Sequence, residues 1–302
     1  MDNICHTLIG AAVGEAGLKR QTRFGNVTLM IAANLPDVDV LVFATDLPAV
    51  AFRRGWTHGV LAQVLLPLAL TAAMLGADRF FPRRSDDPPA RVRGLLLLSY
   101  VGVLSHVALD LLNSYGVRLL MPFSNRWFYG DAAFIVDPWL WLTLATGIWL
   151  ARRRGMTNAA RYSLTLAAVY ILALCLNARL AGNVVRDEWR ATRGGDPVNL
   201  MAAPAPLTPF RRQVIVDAGL DYETGTLDLL RGRVTFDAVV VKNDTDPRVA
   251  RAREAPNIRA FLVWSRFPFW TVEDTSDGAR VTVGDLRFVG RGAPFVQSVV
   301  VR

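Results

Sequence analysis

Residues Arg93–Asn113 read RGLLLLSYVGVLSHVALDLLN. Between its charged start and its polar end the stretch is apolar over close to the roughly 20 residues that a helix needs to cross a bilayer, so 93–112 is expected to be a membrane span. Ser99, Gly102, His106, Asp110 and Asn113 recur within it at three- and four-residue spacings, which lines them along one helix face. A charge at mid-membrane costs about 2.5–3.5 kcal/mol or more, so His106 and Asp110 call for a functional explanation. The plain alternative is a buried His–Asp hydrogen-bonded pair.

Three further stretches, about 59–77, 134–151 and 159–180, are apolar over a comparable length. Two weaker candidates precede them. Residues 3–18 are apolar and small, and 26–47 are apolar but interrupted by Asn34-Leu35-Pro36-Asp37-Val38-Asp39. Proline removes a backbone donor and disfavours helix in the residue before it, so the second span should kink or unwind there. Irregular backbone at membrane depth survives only where protein or a water-filled cavity covers it, which marks the break as a place for a site. Composition agrees with a membrane chain: 52% of the 302 residues are hydrophobic and 20% charged. The net charge is +8, with 17 basic and 11 acidic residues in 1–184 against 17 and 15 in the remainder. The basic excess therefore lies among the membrane segments, where arginines orient helices, and no nucleic-acid partner is expected. Cys5 and Cys175 cannot support a disulfide framework, and no cleavable signal peptide is evident.

Arginines give the expected orientation. Lys19, Arg20 and Arg23, then Arg79, Arg83, Arg84, Arg91 and Arg93, then Arg152, Arg153, Arg154 and Arg161 mark three connections. In a bundle of about six spans, the first two short or broken, these connections share one side, which should be cytoplasmic. The other side would be the periplasmic face of a bacterial inner membrane. After about residue 184 the texture changes. Pro204, Pro206 and Pro209 punctuate an expected linker over 185–210. Short runs follow, Gln213–Val216, Val234–Val241, Ile258–Trp264, Arg280–Val283 and Val296–Val301, rich in the residues that suit half-buried strands. The expected architecture is an all-α membrane bundle over 1–184 and a small, mostly β, periplasmic soluble domain over 211–302.

The three histidines carry the chemistry. His6 opens the first span, His58 stands at the start of the third, and His106 lies near the end of the fourth. In the orientation derived from arginines, these three, Asp37, Asp39 and Asp110 gather in one layer. Three imidazoles and three carboxylates suit Zn²⁺ or Mn²⁺, as one ion or two. A divalent ion lowers the pKa of a water it holds, which provides a nucleophile at neutral pH. Hydrolysis of an ester or phosphoester follows most simply, with Asp37 or Asp39 as general base. Arg54 and Thr57 are candidates for catalytic contacts, Arg54 towards a phosphate oxyanion, and Asn113 and Asp131 for support of the ligands or the substrate. Other readings are that Asp37 and Asp39 cap a helix, that Arg53 and Arg54 anchor a helix end in headgroups, and that Asp131 and Asp137 cap the fifth span. Glu15 is expected to pair with Lys19 four residues on.

His6-Thr7, Leu35-Pro36-Asp37-Val38-Asp39, Arg54-Gly55-Trp56-Thr57-His58 and His106-x-x-x-Asp110, with Asn113-Ser114-Tyr115-Gly116 and Tyr129-Gly130-Asp131, together resemble the YdjM-like family of bacterial inner-membrane metal-dependent hydrolases. The resemblance covers about residues 1–180, and this chain has Arg53 where the family often has His. It implies metal ligands at His6, Asp37, Asp39, His58, His106 and Asp110. A distant likeness to zinc-dependent phospholipase C and P1-type nucleases implies phosphodiesterase or phospholipase-like chemistry. The expected substrate is a lipid or lipid-linked phosphoester, since a site at the interface is reached from the leaflet. Rival readings are an intramembrane metal or proton transporter, and a metal-stabilised scaffold that presents the β domain.

Overall fold

The computed structural model describes residues 1–45, 49–82, 88–289 and 295–302. Its helices are α1 (Asn3–Glu15), α2 (Gly25–Ala32), α3 (Ala49–Phe52), α4 (Val60–Phe80), α5 (Val92–Asp110), α6 (Pro138–Arg154), α7 (Thr157–Arg193), α8 (Pro247–Ala252) and α9 (Pro256–Trp264). Its strands are β1 (Asn199–Ala205), β2 (Thr208–Asp217), β3 (Asp221–Asp228), β4 (Arg233–Val241), β5 (Pro268–Thr275), β6 (Gly278–Asp285) and β7 (Val296–Val301). Two compact units result: Met1–Asp39 with Arg54–Leu176, and Val40–Arg53 with Asn177–Arg302.

Local chemistry sets the helix ends in the first unit. Asp2 caps α1 by accepting from the Ile4 and Cys5 amides. Asp137 caps α6 in the same way, with Pro138 in the first turn and Gly155, at φ 66°, closing the far end. Asp137 is therefore a cap, and Glu15 pairs with both Lys19 and Arg152. Pro36 acts as its chemistry predicts: α2 ends at Ala32, and a 3-10 helix, Leu35–Ala44, resumes at an angle of 50°. Small residues let the helices touch. A Cβ on Gly10 would meet the Leu29 carbonyl oxygen at 2.8 Å, and one on Gly102 would meet the Ala32 methyl at 2.4 Å. Close approach at small residues is how membrane helices associate where apolar burial drives nothing. Around that contact Ala32, Leu70, Met74, Leu95 and Val103 form a buried core of α2, α4 and α5.

The span count needs correcting. Among the described residues, three helices are long and apolar enough to cross a membrane: α4, α5 and α7, with mean hydropathy 2.0, 1.7 and 1.8. The bent pair of α2 and Leu35–Ala44 raises the number to four, not six, if it counts as one span. With 13 residues α1 is only about 20 Å long, and α6 has 17 residues, three of them its closing arginines. Arg83 and Arg84 lie outside the described residues.

The second unit contains two antiparallel sheets, ordered β1-β2-β3-β4 and β5-β6-β7. Successive residues of β1 and β2 point to opposite faces. Ala202, Val214 and Val216 pack with Ala181, Val185 and Trp189 of α7. Met201, Ala203 and Ile215 pack with Tyr222, Phe267 and Leu286. The stretch 185–210, expected as a linker, thus holds the end of α7 and strand β1. Pro204 is tolerated because β1 is an edge strand, and the register slips beside it. Ile258–Trp264, expected as a strand, is most of α9: Ile258, Phe261 and Trp264 are buried at helical spacing behind Pro256.

Asp285 ties this unit together. It accepts from Ser265 Oγ at 2.7 Å, the Arg266 amide at 2.7 Å and Arg287 Nε at 2.8 Å. Burial alone would raise its carboxyl, but the Arg287 guanidinium and these donors hold it below its ordinary value. A depressed carboxylate contributes stability above the unfolded-state pKa of about 3.9 and loses it as pH falls through the folded-state value. Asp285→Asn is therefore expected to lower the melting temperature at neutral pH and to flatten the decline on acidification. Tryptophan-fluorescence melts between neutrality and acid check this, and an unchanged acid slope in the variant would refute it.

Candidate metal centre

Asp37, His58, His106 and Asp110 are all buried, and one potential ligand atom from each lies within 4.8 Å of the others. Asp37 comes from the turn of helix that Pro36 displaces, His58 from the tight turn ahead of α4, and His106 and Asp110 from one face of α5.

Hydrogen bonds fix both rings. His106 Nδ1 lies 2.7 Å from the Ala33 carbonyl oxygen, which can only accept, so Nδ1 carries the proton and Nε2 is a bare lone pair. Ala33 follows the end of α2, where carbonyls lack intrahelical partners. His58 Nδ1 lies 3.0 Å from Thr57 Oγ and 3.5 Å from Asp39 Oδ2. Thr57 gives its hydroxyl proton to Asp39 at 3.0 Å, so its oxygen accepts from His58 Nδ1–H. His58 Nε2 is then bare as well. This is the outer arrangement that orients metal-binding imidazoles.

The two Nε2 atoms face each other at 3.1 Å, and in these tautomers two neutral rings would have no proton to share between them. Asp110 Oδ2 lies 3.3 Å from His58 Nε2 and 3.5 Å from His106 Nε2. Zn–N bonds of about 2.0–2.1 Å in a tetrahedral site imply ligand-to-ligand edges of about 3.3 Å, so these three atoms already have the spacing of a coordination face. Asp37 Oδ1 stands farther out, 4.0 Å and 3.8 Å from the same two nitrogens. The donor set, two imidazoles and two carboxylates, suits a divalent ion of the zinc or manganese type.

The remaining expected residues take supporting places. Asp39 stands behind His58 and also accepts from the Arg54 amide at 2.7 Å. Arg54, at φ 52°, reaches Asp110 through Nε at 3.0 Å and Nη2 at 3.2 Å, and Asn113 through Nη1 at 2.8 Å. Its guanidinium is thus committed to a ligand carboxylate and not presented to a phosphate. His6 stacks on His106 with ring centroids 3.8 Å apart, and its Nε2 lies 3.3 Å from Asp110 Oδ1. The Met1 nitrogen donates to that same oxygen. Asp131 sits in the loop after α5 at φ 47°, outside the four-residue group. Sequence reasoning missed Ala33, because a backbone carbonyl has no side-chain signature, and it missed the anchoring of Arg54 through Asn113.

A relative described as the uncharacterized protein YfhP of Bacillus subtilis (strain 168) is 26% identical over 319 aligned residues, spanning 99% of this chain and 90% of its own. That alignment takes in the β-sheet unit as well as the helices. No solved structure matches the chain, and the distant likeness to zinc-dependent phospholipase C and P1-type nucleases gains no support. Residues 1–183, well over half of the chain and including all four clustered residues, match the YdjM inner membrane protein model, and the chain belongs to that family.

Proposed function

We propose that this protein is a membrane-bound, metal-dependent hydrolase of a phosphoester or ester, acting on a lipid or lipid-linked substrate at the periplasmic side. The observation that carries the reading is the convergence on two buried carboxylates of two imidazoles whose Nδ1 atoms are engaged by outer partners, with Nε2 of each turned to the cluster. One or two ions, Zn²⁺ or Mn²⁺, would be held by Asp37, His58, His106 and Asp110, with His6 alongside. Bound there, the metal supplies Lewis acidity that makes water nucleophilic near neutral pH and polarises the scissile group.

The chain's own residues do the rest. Asp37 is the loosest of the four and the one that also lines an open groove, so it is placed to take the proton of an attacking water. Arg54 neutralises Asp110 and holds it in register, and Thr57 with Asp39 keeps His58 in the right tautomer. The periplasmic side is part of the proposal and rests on the basic 19–25 and 77–93 connections, which share one side in a four-span bundle.

The test uses full-length protein in detergent, purified without chelators. Near-stoichiometric zinc or manganese and turnover of phosphatidylglycerol or a nitrophenyl phosphodiester are expected, with turnover abolished in Asp37→Asn. Asp39→Asn should weaken metal binding about 10–100-fold, as loss of an outer partner does. Well-folded wild type that holds no metal would defeat the reading.

A further inference from the structure

Beside the metal centre, α1, α2 and the 3-10 helix Leu35–Ala44 enclose an open groove of about 500 Å³. Val27, Met30, Ile31, Leu35 and Val38 make its apolar wall, and Asn3, Thr7, Asn34 and Asp37 line the rest. Asp37 belongs to both the groove and the four-residue cluster, so the groove leads to the centre. Val27, Ile31 and Val38 are 49%, 41% and 42% exposed, which gives the groove a greasy rim. In a chain of an inner-membrane family such a rim faces hydrocarbon at no cost.

Polar groups occur at one side only. Asn34 Nδ2 donates to Thr7 Oγ and to the Met30 carbonyl, each at 2.9 Å. Its Oδ1 is buried and accepts no hydrogen bond among the described residues.

We infer that this groove holds the hydrocarbon chain of a lipid phosphoester, with the headgroup at Asp37. The inference deepens the hydrolase reading and rests on it for the headgroup's chemistry. The volume falls within the roughly 300–1,000 Å³ of sites that take one small amphiphile.

The probe is hexadecyl phosphate with a diazirine near the chain end, added to zinc-loaded full-length protein in phosphatidylethanolamine–phosphatidylglycerol vesicles. Peptide mass spectrometry then maps the photolabel. Labelling should concentrate on residues 3–38, and Met30→Trp, which fills the groove, should reduce it there about tenfold, the effect of roughly two lost methylene contacts. Val38→Trp, which fills the same apolar wall from the 3-10 helix Leu35–Ala44, should do the same if Met30→Trp folds poorly. Metal content should not change in either variant. Label spread over α4 and α7 in proportion to their exposed apolar surface, or unchanged by both tryptophans in folded protein, would overturn the inference. Labelling requires no turnover, so the two readings fail separately. A labelled groove in an inert protein would sink hydrolysis alone, and turnover without groove labelling would sink the groove assignment alone.

Discussion

Asp110→Asn is expected to strip the centre of metal and to destabilise the helical unit by about 3–5 kcal/mol, the cost of breaking a buried ion pair from one side. Asp110 is fully buried and Arg54 is 4% exposed, so the amide would leave a guanidinium with no counter-charge where water cannot reach it. His6, His58 and His106 all approach the same carboxylate, so they lose a shared partner as well. Metal content by mass spectrometry and thermal unfolding in detergent read the two effects separately. Adding Arg54→Met to Asp110→Asn should restore much of the stability and none of the metal. A single variant that melts like wild type and keeps its metal would show that Asp110 is not the hub of the site.

The second large effect is expected from a position with no chemistry of its own. In Gly102→Leu the new Cβ would lie 2.4 Å from the Ala32 Cβ and 2.9 Å from the Ala33 nitrogen, before the rest of the side chain is placed. Backbone must move, and overpacking of this kind costs about 1–3 kcal/mol or more. The element that moves is the end of α2, whose Ala33 carbonyl holds His106 in its metal-ready tautomer. Metal affinity should therefore fall further than stability. Gly76→Leu in α4 is the control, since no atom lies within 4 Å of a Cβ there, and it should leave both unchanged. Zinc titration against a competing chelator and paired melting curves check the contrast, and equal behaviour of the two variants would refute it.

Much of the site is legible in the chain. His106 and Asp110 sit four apart in an apolar run, and the cost of burying them marks them without any fold. The Pro36 break is equally plain. Which carboxylate joins the His58–His106–Asp110 cluster and which stands behind it is not legible, because Asp37 and Asp39 have the same chemistry and differ only in which side of His58 they reach. Arg54 reads as an anion contact until its partners, Asp110 and Asn113, are brought to it from 56 and 59 residues away. The span count failed for a different reason. Apolar stretches in α1 and α6 are visible, but the ends at Glu15 and at the closing arginines of α6, not the stretches, decide whether they reach across. In the second unit β1 is buried on both faces, so Leu-Met-Ala-Ala-Pro-Ala shows no alternation, and its prolines imitate a linker.

The clustered residues come from three separate places in the chain: the bent pair of α2 and Leu35–Ala44, a tight turn and the face of α5. A ligand that binds only the assembled form stabilises it by an amount that grows with the logarithm of its concentration. A metal held there would work as a clasp. Helix association and metal occupancy would then be one equilibrium, so a cell short of the ion would be left with looser bundles. Survival of this protein against membrane proteases should accordingly track the supply of divalent metal.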